Sequence, residues 1–177
     1  MKKILIVVDM QNDFITGSLG CASAQTIVAA VSRKVSACKQ QGYELLFTRD
    51  VHGPEYLSSQ EGRNLPVIHC QAGESGCEIV AELAQYIDAN SVVVDKAGFG
   101  SLELAQVLKQ GNYELVEICG LVTNICVLFA AILAKTALPE AEIVIDESCV
   151  ASFDDSLHNK SLDVLAGMQM TIIRKSQ

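Results

Sequence analysis

The sequence predicts an α/β fold in three layers, in which helices cover both faces of a parallel β-sheet. Short β-branched runs alternate with longer helical patterns along the chain, and this order is typical of parallel strands joined by right-handed crossovers. Several runs are almost continuously apolar, as expected for strands that are buried on both faces. A chain of 177 residues is long enough for one substantial core and short for two, so we expect a single domain over residues 1–177.

Six strands and five helices are predicted in alternation. The strands are expected at residues 4–8, 43–47, 91–94, 113–118, 142–145 and 170–173. The helices are expected at residues 24–41, 76–87, 102–110, 123–136 and 155–167. A long irregular stretch, residues 50–75, contains His52 and His69. Because a connection of that length inside a compact domain usually has a function, this stretch is the first place to look for chemistry.

The composition argues against nucleic-acid binding, a disulfide framework and a membrane span. The net charge is −8, and lysine and arginine form no cluster, whereas a nucleic-acid surface is basic. The seven cysteines are an odd number without a C-x-x-C pair, so most are expected to be buried free thiols. The apolar run at 4–8 is too short for a signal peptide, and the one at 125–133 is too short for a membrane span. We therefore expect a cytoplasmic protein with neither nucleic acid nor membrane as a partner.

Polar or turn-forming residues follow four of the predicted strands. They are Asp9, Asp50, Lys96 and Gly120. In parallel sheets of this kind the ligand binds beyond the carboxyl ends of the strands. We therefore expect these four positions to converge on one crevice.

Cys126 lies in the first turns of the helix predicted at 123–136. The amides and the positive dipole end at a helix N-terminus lower the pKa of a thiol and can stabilise an oxyanion, so Cys126 is a candidate nucleophile. The alternative is one more buried thiol in an apolar helix, which the helix pattern by itself favours. Asp9 is either a general base for this cysteine or a turn-forming residue. Lys96 either stabilises the thiolate or is an exposed lysine at the start of a loop.

Asp50, His52 and His69 supply one carboxylate and two imidazoles to the long irregular stretch. Oxygen and imidazole ligands suit zinc, iron or manganese, and Glu55 and Glu61 are both available as a fourth ligand. A purely structural role for these residues is equally compatible with the pattern.

The third histidine, His158, lies in the last predicted helix with acidic residues nearby. We interpret it as a surface residue without a role.

Five segments of the chain together resemble the isochorismatase-like cysteine hydrolase superfamily, and within it the nicotinamidase group. They are VDMQNDF at 8–14, TRDVH at 48–52, LPVIHC at 65–70, DKAGFGS at 95–101 and GLVTNICV at 120–127. Each segment is modest by itself. As a set they occur in the family's order and span nearly the whole chain, which makes the resemblance specific.

The resemblance implies that Asp9, Lys96 and Cys126 form a catalytic triad. It implies an oxyanion hole made by the amides of Val122 and Cys126 and aimed by a cis peptide bond between Leu121 and Val122. The fold that it implies is a six-stranded parallel sheet of order 3-2-1-4-5-6, so that residues 1–177 are a single cysteine-hydrolase domain. The activity that it implies is hydrolysis of nicotinamide to nicotinate and ammonia, a step of NAD salvage, through a thioester on Cys126.

The resemblance also implies one divalent metal ion, with zinc as the first choice and iron or manganese as alternatives. Asp50, His52 and His69 match the metal ligands of the nicotinamidase group. Glu61 fits the spacing of the glutamate-bearing members better than Glu55 does. Isochorismatases lack this ligand set, which is the main reason to choose the nicotinamidase branch.

The sequence departs from the nicotinamidase group where the substrate ring would pack. Many members have a tryptophan shortly before the second histidine, but this chain has Pro66 and Val67 there and contains no tryptophan. Phe14 and Phe99 are the candidate substrate-binding residues, with Tyr56 as an alternative to Phe99.

The expected partners are a small amide substrate and further copies of the chain in a homo-oligomer. Two alternatives to a nicotinamidase stay open. One is another superfamily hydrolase that acts on a carbamoyl or ureido amide or on a vinyl ether. The other is a catalytically silent binding protein on the same fold.

Overall fold

A computed structural model describes residues 1–174 of the chain. The strands are β1 (Lys3–Val8), β2 (Glu44–Asp50), β3 (Val92–Lys96), β4 (Leu115–Leu121), β5 (Glu142–Ala151) and β6 (Thr171–Ile173). They form one sheet in which every neighbouring pair is parallel, in the order β3-β2-β1-β4-β5-β6. The predicted fold class and strand order are confirmed. The last residues of the predicted domain, 175–177, lie outside the described part of the chain.

The helices connect these strands on the two faces of the sheet. They are α1 (Asn12–Ile15), α2 (Ala22–Gln40), α3 (Gln60–Asn64), α4 (Ala81–Ala84), α5 (Leu102–Gly111), α6 (Leu128–Ala137) and α7 (Asp155–Gly167). Two short 3₁₀ turns, Tyr56–Ser58 and Ser75–Cys77, and one π-helical turn, Thr123–Val127, complete the regular structure. Within residues 1–174 no helix is both long and apolar enough to cross a membrane.

The side chains of the central strands enter two separate hydrophobic cores. In β1, Ile4, Ile6 and Val8 face the core that also contains residues of α5, α6 and α7. Leu5 and Val7 face the core that contains residues of α2 and the short helix α4. Each of these five side chains is at most 1% exposed, which explains why the strand is apolar at every position rather than at alternate ones.

The prediction of one continuous helix at 76–87 is wrong. Only α4 and the short turn before it are helical, because the chain between them is extended and pairs with the segment after β1. Gln11 and Ile79 form an antiparallel bridge, and the N–H of Val80 donates to the carbonyl of Met10 at 3.0 Å. These long-range backbone bonds outweigh the local helical pattern.

The long irregular stretch after β2 and the strand β5 also differ from the predictions. The first contains a short turn and α3, which the sequence pattern does not reveal. The second continues to Ala151, well beyond residue 145, after an irregularity that shifts its register with β4. Asp146, Glu147 and Ser148 lie in this irregular part and are half-buried, and these polar residues end the apolar run on which the prediction was based.

Gly120 allows β4 to pass very close to β1 where both strands reach the carboxyl edge of the sheet. Its φ is +116°, and a Cβ at this position would lie 2.1 Å from the carbonyl oxygen of Val8. Only glycine combines this backbone conformation with this approach. The residues that follow β1 and β4 are therefore brought side by side.

Candidate active site

Asp9, Lys96 and Cys126 come together at the carboxyl edge of the sheet. Asp9 follows β1, Lys96 ends β3, and Cys126 lies in the π-helical turn after β4. Lys96 Nζ lies 2.7 Å from Asp9 Oδ2 and 3.6 Å from Cys126 Sγ. It also lies 3.6 Å from Asp50 Oδ1 at the end of β2. The convergence expected from the strand ends is therefore confirmed.

Asp9 is held in place by Thr48 on the neighbouring strand β2. Thr48 Oγ1 donates to Asp9 Oδ1 at 2.6 Å, and the N–H of Asp9 donates to the Thr48 carbonyl at 3.2 Å. The φ of Asp9 is +48°, in a region that residues other than glycine rarely adopt. One carboxylate oxygen is thus fixed by Thr48, while the other faces the ammonium group of Lys96.

Burial and the charge of Asp9 together favour the thiol form of Cys126. Burial, followed by the negative charge of Asp9, raises the pKa of Cys126 well above its ordinary value, and the charge of Lys96 offsets this only in part. The expectation that a helix N-terminus lowers this pKa was therefore wrong, because desolvation of the thiolate dominates. Burial also disfavours the charged form of Lys96, but the negative charges of Asp9 and Asp50 outweigh it and raise the pKa of that lysine.

The segment that carries Cys126 begins with the cis peptide bond between Leu121 and Val122 that the resemblance implies. The carbonyl of Val122 then accepts hydrogen bonds from the N–H groups of Ile125 and Val127, at 3.1 and 3.2 Å. Val122 and Cys126 both border the cavity described below. The backbone of this turn is therefore at the edge of the space that a substrate would occupy.

His158 is not a surface residue, which corrects the interpretation made from the sequence. Its side chain is 13% exposed, and its Nδ1 lies 2.8 Å from the hydroxyl of Thr123, the buried first residue of the π-helical turn. Its Nε2 lies 3.9 Å from a carboxylate oxygen of Glu147. Glu147 lies in the part of β5 where the register with β4 shifts.

Asp50, His52, Glu61 and His69 form a second cluster, in which four ligand atoms lie within 4.8 Å of one another. His52 Nε2 and His69 Nε2 lie 2.9 and 3.3 Å from Asp50 Oδ2, and each lies 4.0 Å from Glu61 Oε1. Two imidazole nitrogens and two carboxylates are a donor set that suits a divalent transition metal. The cluster contains Glu61 and not Glu55, which is exposed.

Hydrogen bonds from residues outside the cluster hold the backbone of Asp50, the ring of His69 and the backbone next to His69. His69 Nδ1 lies 2.7 Å from the carbonyl of Val67, so Nε2 is the ring nitrogen that faces the other candidate ligands. Gln11, fully buried, donates from Nε2 to the carbonyl of Asp50 and accepts at Oε1 from its N–H, both at 2.8 Å. Asp13 accepts from the N–H of Cys70 at 2.7 Å. These contacts hold Asp50 and the segment of His69 in position.

The charges of the second cluster are strongly coupled. Burial opposes ionisation of Asp50, but hydrogen bonds from His52 and His69 outweigh it and hold the pKa of Asp50 well below its usual value. Burial likewise disfavours protonated His69, but the hydrogen bond with Asp50 wins and raises its pKa. Burial and the charge of Asp50 raise the pKa of Glu61. A divalent cation would relieve the repulsion between the two carboxylates.

Both clusters border one cavity of about 630 Å³. Phe14 and Phe99 line it, and the ring of Phe14 lies 5.7 Å from that of His69, centroid to centroid. Tyr56 does not line it: this side chain is 2% exposed and packs behind His52 and His69. Phe99 rather than Tyr56 is therefore the second aromatic wall.

Several residues at the site were not singled out by the sequence pattern. These residues form hydrogen bonds to the clusters, or to the segment that carries Cys126, from other parts of the chain, so their contacts are visible only in the structure. They are Gln11, Asp13, Thr48 and Thr123. All four lie within the family segments quoted above. Phe153, which also lines the cavity, has no such signal.

A family model described as "Isochorismatase domain" matches residues 3–177 of the chain. The chain belongs to the isochorismatase family. The resemblance drawn from the five segments is thereby confirmed, and the protein is a hydrolase of the isochorismatase superfamily.

Individual family members include nicotinamidases and related amidases. A nicotinamidase of Saccharomyces cerevisiae is 24% identical over 216 aligned residues, which cover 98% of this chain and all of the yeast protein. The zinc complex of a pyrazinamidase from Pyrococcus horikoshii superposes with a TM-score of 0.86 at 26% identity, over 99% of this chain and 100% of that one. An N-carbamoylsarcosine amidase from Thermoplasma acidophilum superposes with a TM-score of 0.82 at 25% identity, over 100% and 98%. The proteins similar to this chain are therefore named for more than one amide substrate.

Proposed function

We propose that the protein is a metal-assisted cysteine amidohydrolase that converts nicotinamide, or a closely related ring carboxamide, to the carboxylate and ammonia. The observation that carries this proposal is that one cavity is bordered by both clusters. One cluster contains a cysteine, a lysine and an aspartate, and the other contains two histidines and two carboxylates. The first set suits attack on a carbonyl, and the second suits a metal that binds and orients a ring nitrogen.

The proposed reaction begins with transfer of the Cys126 proton to the Asp9 carboxylate. Because the raised pKa keeps this thiol protonated at rest, the proton leaves only as sulfur attacks the amide carbonyl. The ammonium group of Lys96, 3.6 Å from the sulfur, stabilises the negative charge during the transfer. The amides of Val122 and Cys126 are the proposed donors to the oxyanion of the tetrahedral intermediate.

The intermediate collapses when the C–N bond breaks and the carboxyl of Asp9 returns its proton to the leaving nitrogen, which departs as ammonia. A thioester on Cys126 remains. Asp9 then removes a proton from water as the oxygen of that water attacks the thioester carbonyl. The C–S bond breaks, Asp9 gives its proton to the departing sulfur, and the carboxylic acid product releases its own proton to solvent. Thr48 keeps Asp9 in place for these transfers through its 2.6 Å hydrogen bond.

Asp50, His52, Glu61 and His69 are the residues that would hold the metal, and their donor atoms fit a divalent ion in number, type and spacing. The chemistry that the ion supplies when bound is Lewis acidity toward a ring nitrogen, which fixes the orientation of the substrate. Phe14 is the proposed wall against which the ring packs. Zinc is our first choice among the divalent ions.

The lining of the cavity disfavours the anionic substrates of other superfamily enzymes. Among residues 1–174, no lysine or arginine borders the cavity. Isochorismate and N-carbamoylsarcosine carry carboxylates, for which such a cavity offers no cationic side chain, so that the proposed metal ion would be the one cation at its lining. A neutral carboxamide needs no such partner.

Ammonia release by the zinc-loaded protein tests the proposal. We expect turnover of nicotinamide and pyrazinamide and much slower turnover of N-carbamoylsarcosine. Faster turnover of the carbamoyl compound would replace this proposal with the ureido-hydrolase alternative. Absence of turnover with all three, together with labelling of Cys126 by iodoacetamide no faster than that of an ordinary thiol, would favour a silent binding protein.

A further inference from the structure

The cavity extends beyond the space that one pyridine ring and a carboxamide require. Its volume of about 630 Å³ lies within the range of pockets that bury drug-sized ligands, roughly 300–1,000 Å³. The residues of the two clusters that border it are largely buried, whereas Leu65, Phe99 and Phe153 are 38, 42 and 64% exposed. We call the part of the cavity lined by these three side chains the outer chamber.

Phe153, the most exposed of these side chains, lies on a turn that hydrogen bonds hold in place. Phe153 lies between Ser152, whose hydroxyl donates to Asn124 Oδ1 at 2.6 Å, and Asp154, whose carboxylate accepts from the N–H of Leu157 at 2.8 Å. The first bond ties the turn to the segment that carries the cysteine, and the second caps α7. The aromatic ring is therefore presented to the cavity by an anchored backbone.

The other two walls of the outer chamber are anchored as well. The carbonyl of Leu65 accepts from the hydroxyl of Tyr56 at 2.9 Å. The ring of Phe99 packs against that of Phe129 at a centroid distance of 6.0 Å. Apolar side chains that are both anchored and exposed beside a cavity are typical of binding surfaces.

The polar lining indicates the charge of the occupant. Away from the two clusters, the side chains with polar groups that border the cavity include Ser18, Gln60 and Asn64, which are neutral. As noted above, no lysine or arginine of residues 1–174 lines it. An apolar, uncharged group matches this chamber, and an anionic group does not.

We propose that the preferred substrate is a neutral heteroaromatic carboxamide that carries an apolar ring substituent, and that the substituent packs against Leu65, Phe99 and Phe153 in the outer chamber. This inference rests on the amidohydrolase function proposed above and narrows its substrate class. The bond that is cleaved and the fate of its atoms are unchanged. The substituent adds binding energy at a distance from the reacting carbonyl.

The test compares kcat/KM of the zinc-loaded protein for nicotinamide with that for positional isomers of butyl- and phenyl-nicotinamide, and for a carboxyalkyl derivative. We expect at least one butyl or phenyl isomer to exceed nicotinamide by about tenfold or more, chiefly through a lower KM, since each buried methylene contributes to selectivity. The carboxyalkyl derivative should be slower than the uncharged compounds.

Two variants locate the effect. Phe153→Ala should reduce the ratio of kcat/KM between the best substituted amide and nicotinamide by about tenfold. Leu157→Ala is the matched control, because Leu157 is 42% exposed on the neighbouring helix and does not line the cavity. This control should leave the ratio at its wild-type value.

Failure of this inference is distinct from failure of the function on which it rests. If nicotinamide is hydrolysed while every substituted isomer is slower, or if Phe153→Ala leaves the ratio unchanged, the outer chamber does not select the substrate. If the zinc-loaded protein releases ammonia from none of the amides, the proposed amidohydrolase function itself is wrong.

Discussion

The molecule contains one buried and one half-buried lysine–carboxylate pair, and only the buried pair belongs to the candidate active site. Lys96 contacts Asp9 at 2.7 Å at the carboxyl edge of the sheet. Lys34, on α2, contacts Glu117 of β4 at 2.5 Å. Both pairs have thiols close enough to feel their charges: Cys126 in the first case, and Cys38 with other cysteines in the second.

The pairs differ in how their hydrogen-bonding groups are satisfied and in what they border. The second oxygen of Glu117 accepts from the hydroxyl of Tyr43 at 2.8 Å, so protein groups occupy the carboxylate on both sides. Burial raises the pKa of Cys38 to about 11, and this thiol borders no cavity described above. Asp9 and Cys126 instead open onto the space for a substrate. Access, rather than charge or burial alone, separates a candidate site from a structural ion pair.

The largest expected effect comes from removing the nucleophile. Cys126→Ala should reduce kcat for ammonia release by at least about ten-thousandfold, because no other group can form the thioester. Circular dichroism and thermal unfolding should show a folded protein. Cys38→Ala is the matched control, a buried thiol beside the other ion pair, and should retain wild-type kcat. Appreciable turnover by Cys126→Ala would overturn the mechanism.

Replacing Lys96 or Lys34 by methionine compares the contributions of the two ion pairs to activity and to stability. Lys96→Met should lower kcat by about a thousandfold or more, since the thiolate loses its stabilising charge. Lys34→Met should leave kcat within about twofold of wild type but lower the free energy of unfolding by about 3 kcal/mol, because Glu117 keeps a largely buried charge without its partner. Steady-state kinetics and urea unfolding measure these effects. Loss of turnover in Lys34→Met at full stability would show that the two pairs are coupled.

Metal binding should depend on pH through groups that only the cavity side possesses. The pKa values of Glu61 and His69 are raised, so both take up a proton at a higher pH than is usual for their residue types. Since a protonated ligand cannot bind the ion, zinc affinity should be present at about pH 7.5 and fall by at least about a hundredfold by about pH 5.5. Competition with a chromophoric chelator measures the Kd.

Glu61→Gln tests the contribution of that carboxylate to the pH dependence. This variant should bind zinc more weakly at the higher pH and show a shallower fall, because one titrating ligand is lost. Lys34→Met should follow the wild-type curve, since its ion pair lies away from the ligands. An equal Kd at both pH values in the wild type would contradict the proposed ligand set.

The smallest expected effect concerns the support of the nucleophile's segment by α7. Thr123→Val keeps the shape of the side chain but removes the hydroxyl that lies 2.8 Å from His158 Nδ1. We expect a loss of about 1 kcal/mol of stability and about a tenfold lower kcat with little change in KM, because the turn that holds Cys126 is less firmly placed. Thr123→Ser should restore both values. Wild-type kcat in the valine variant would limit His158 to a structural role.

The sequence was sufficient for the parts of the molecule that local patterns determine. The apolar runs of β1 and β4 and the residues at their ends follow from periodicity, and the strand order came from the resemblance. The helix predicted at 76–87 failed because Ile79 pairs with a segment far away in the chain, which no local pattern records. The role predicted for the helix dipole at Cys126 failed because the extent of its burial is a property of the whole fold.

The residues that hold the site by hydrogen bonds could not be predicted from the sequence for the same reason. Thr48, Gln11 and Thr123 contact Asp9, Asp50 and His158 from other elements. Each is an ordinary polar residue in its own segment. Phe153 becomes noticeable only when the cavity is seen, since a single exposed aromatic residue is unremarkable in a sequence.

The clamp of Gln11 on the backbone of Asp50 has a consequence for how this protein could acquire new substrates. Gln11 lies two residues after Asp9, and its side chain binds both the N–H and the carbonyl of Asp50 at 2.8 Å. The distance between Asp9, the proposed base, and Asp50, a proposed metal ligand, is therefore set by the spacing of neighbouring strands, about 4.8 Å. Substitutions in the loops around Leu65 and Phe153 can therefore change which molecule binds. The position of the bond that is hydrolysed would stay the same, because the sheet determines it.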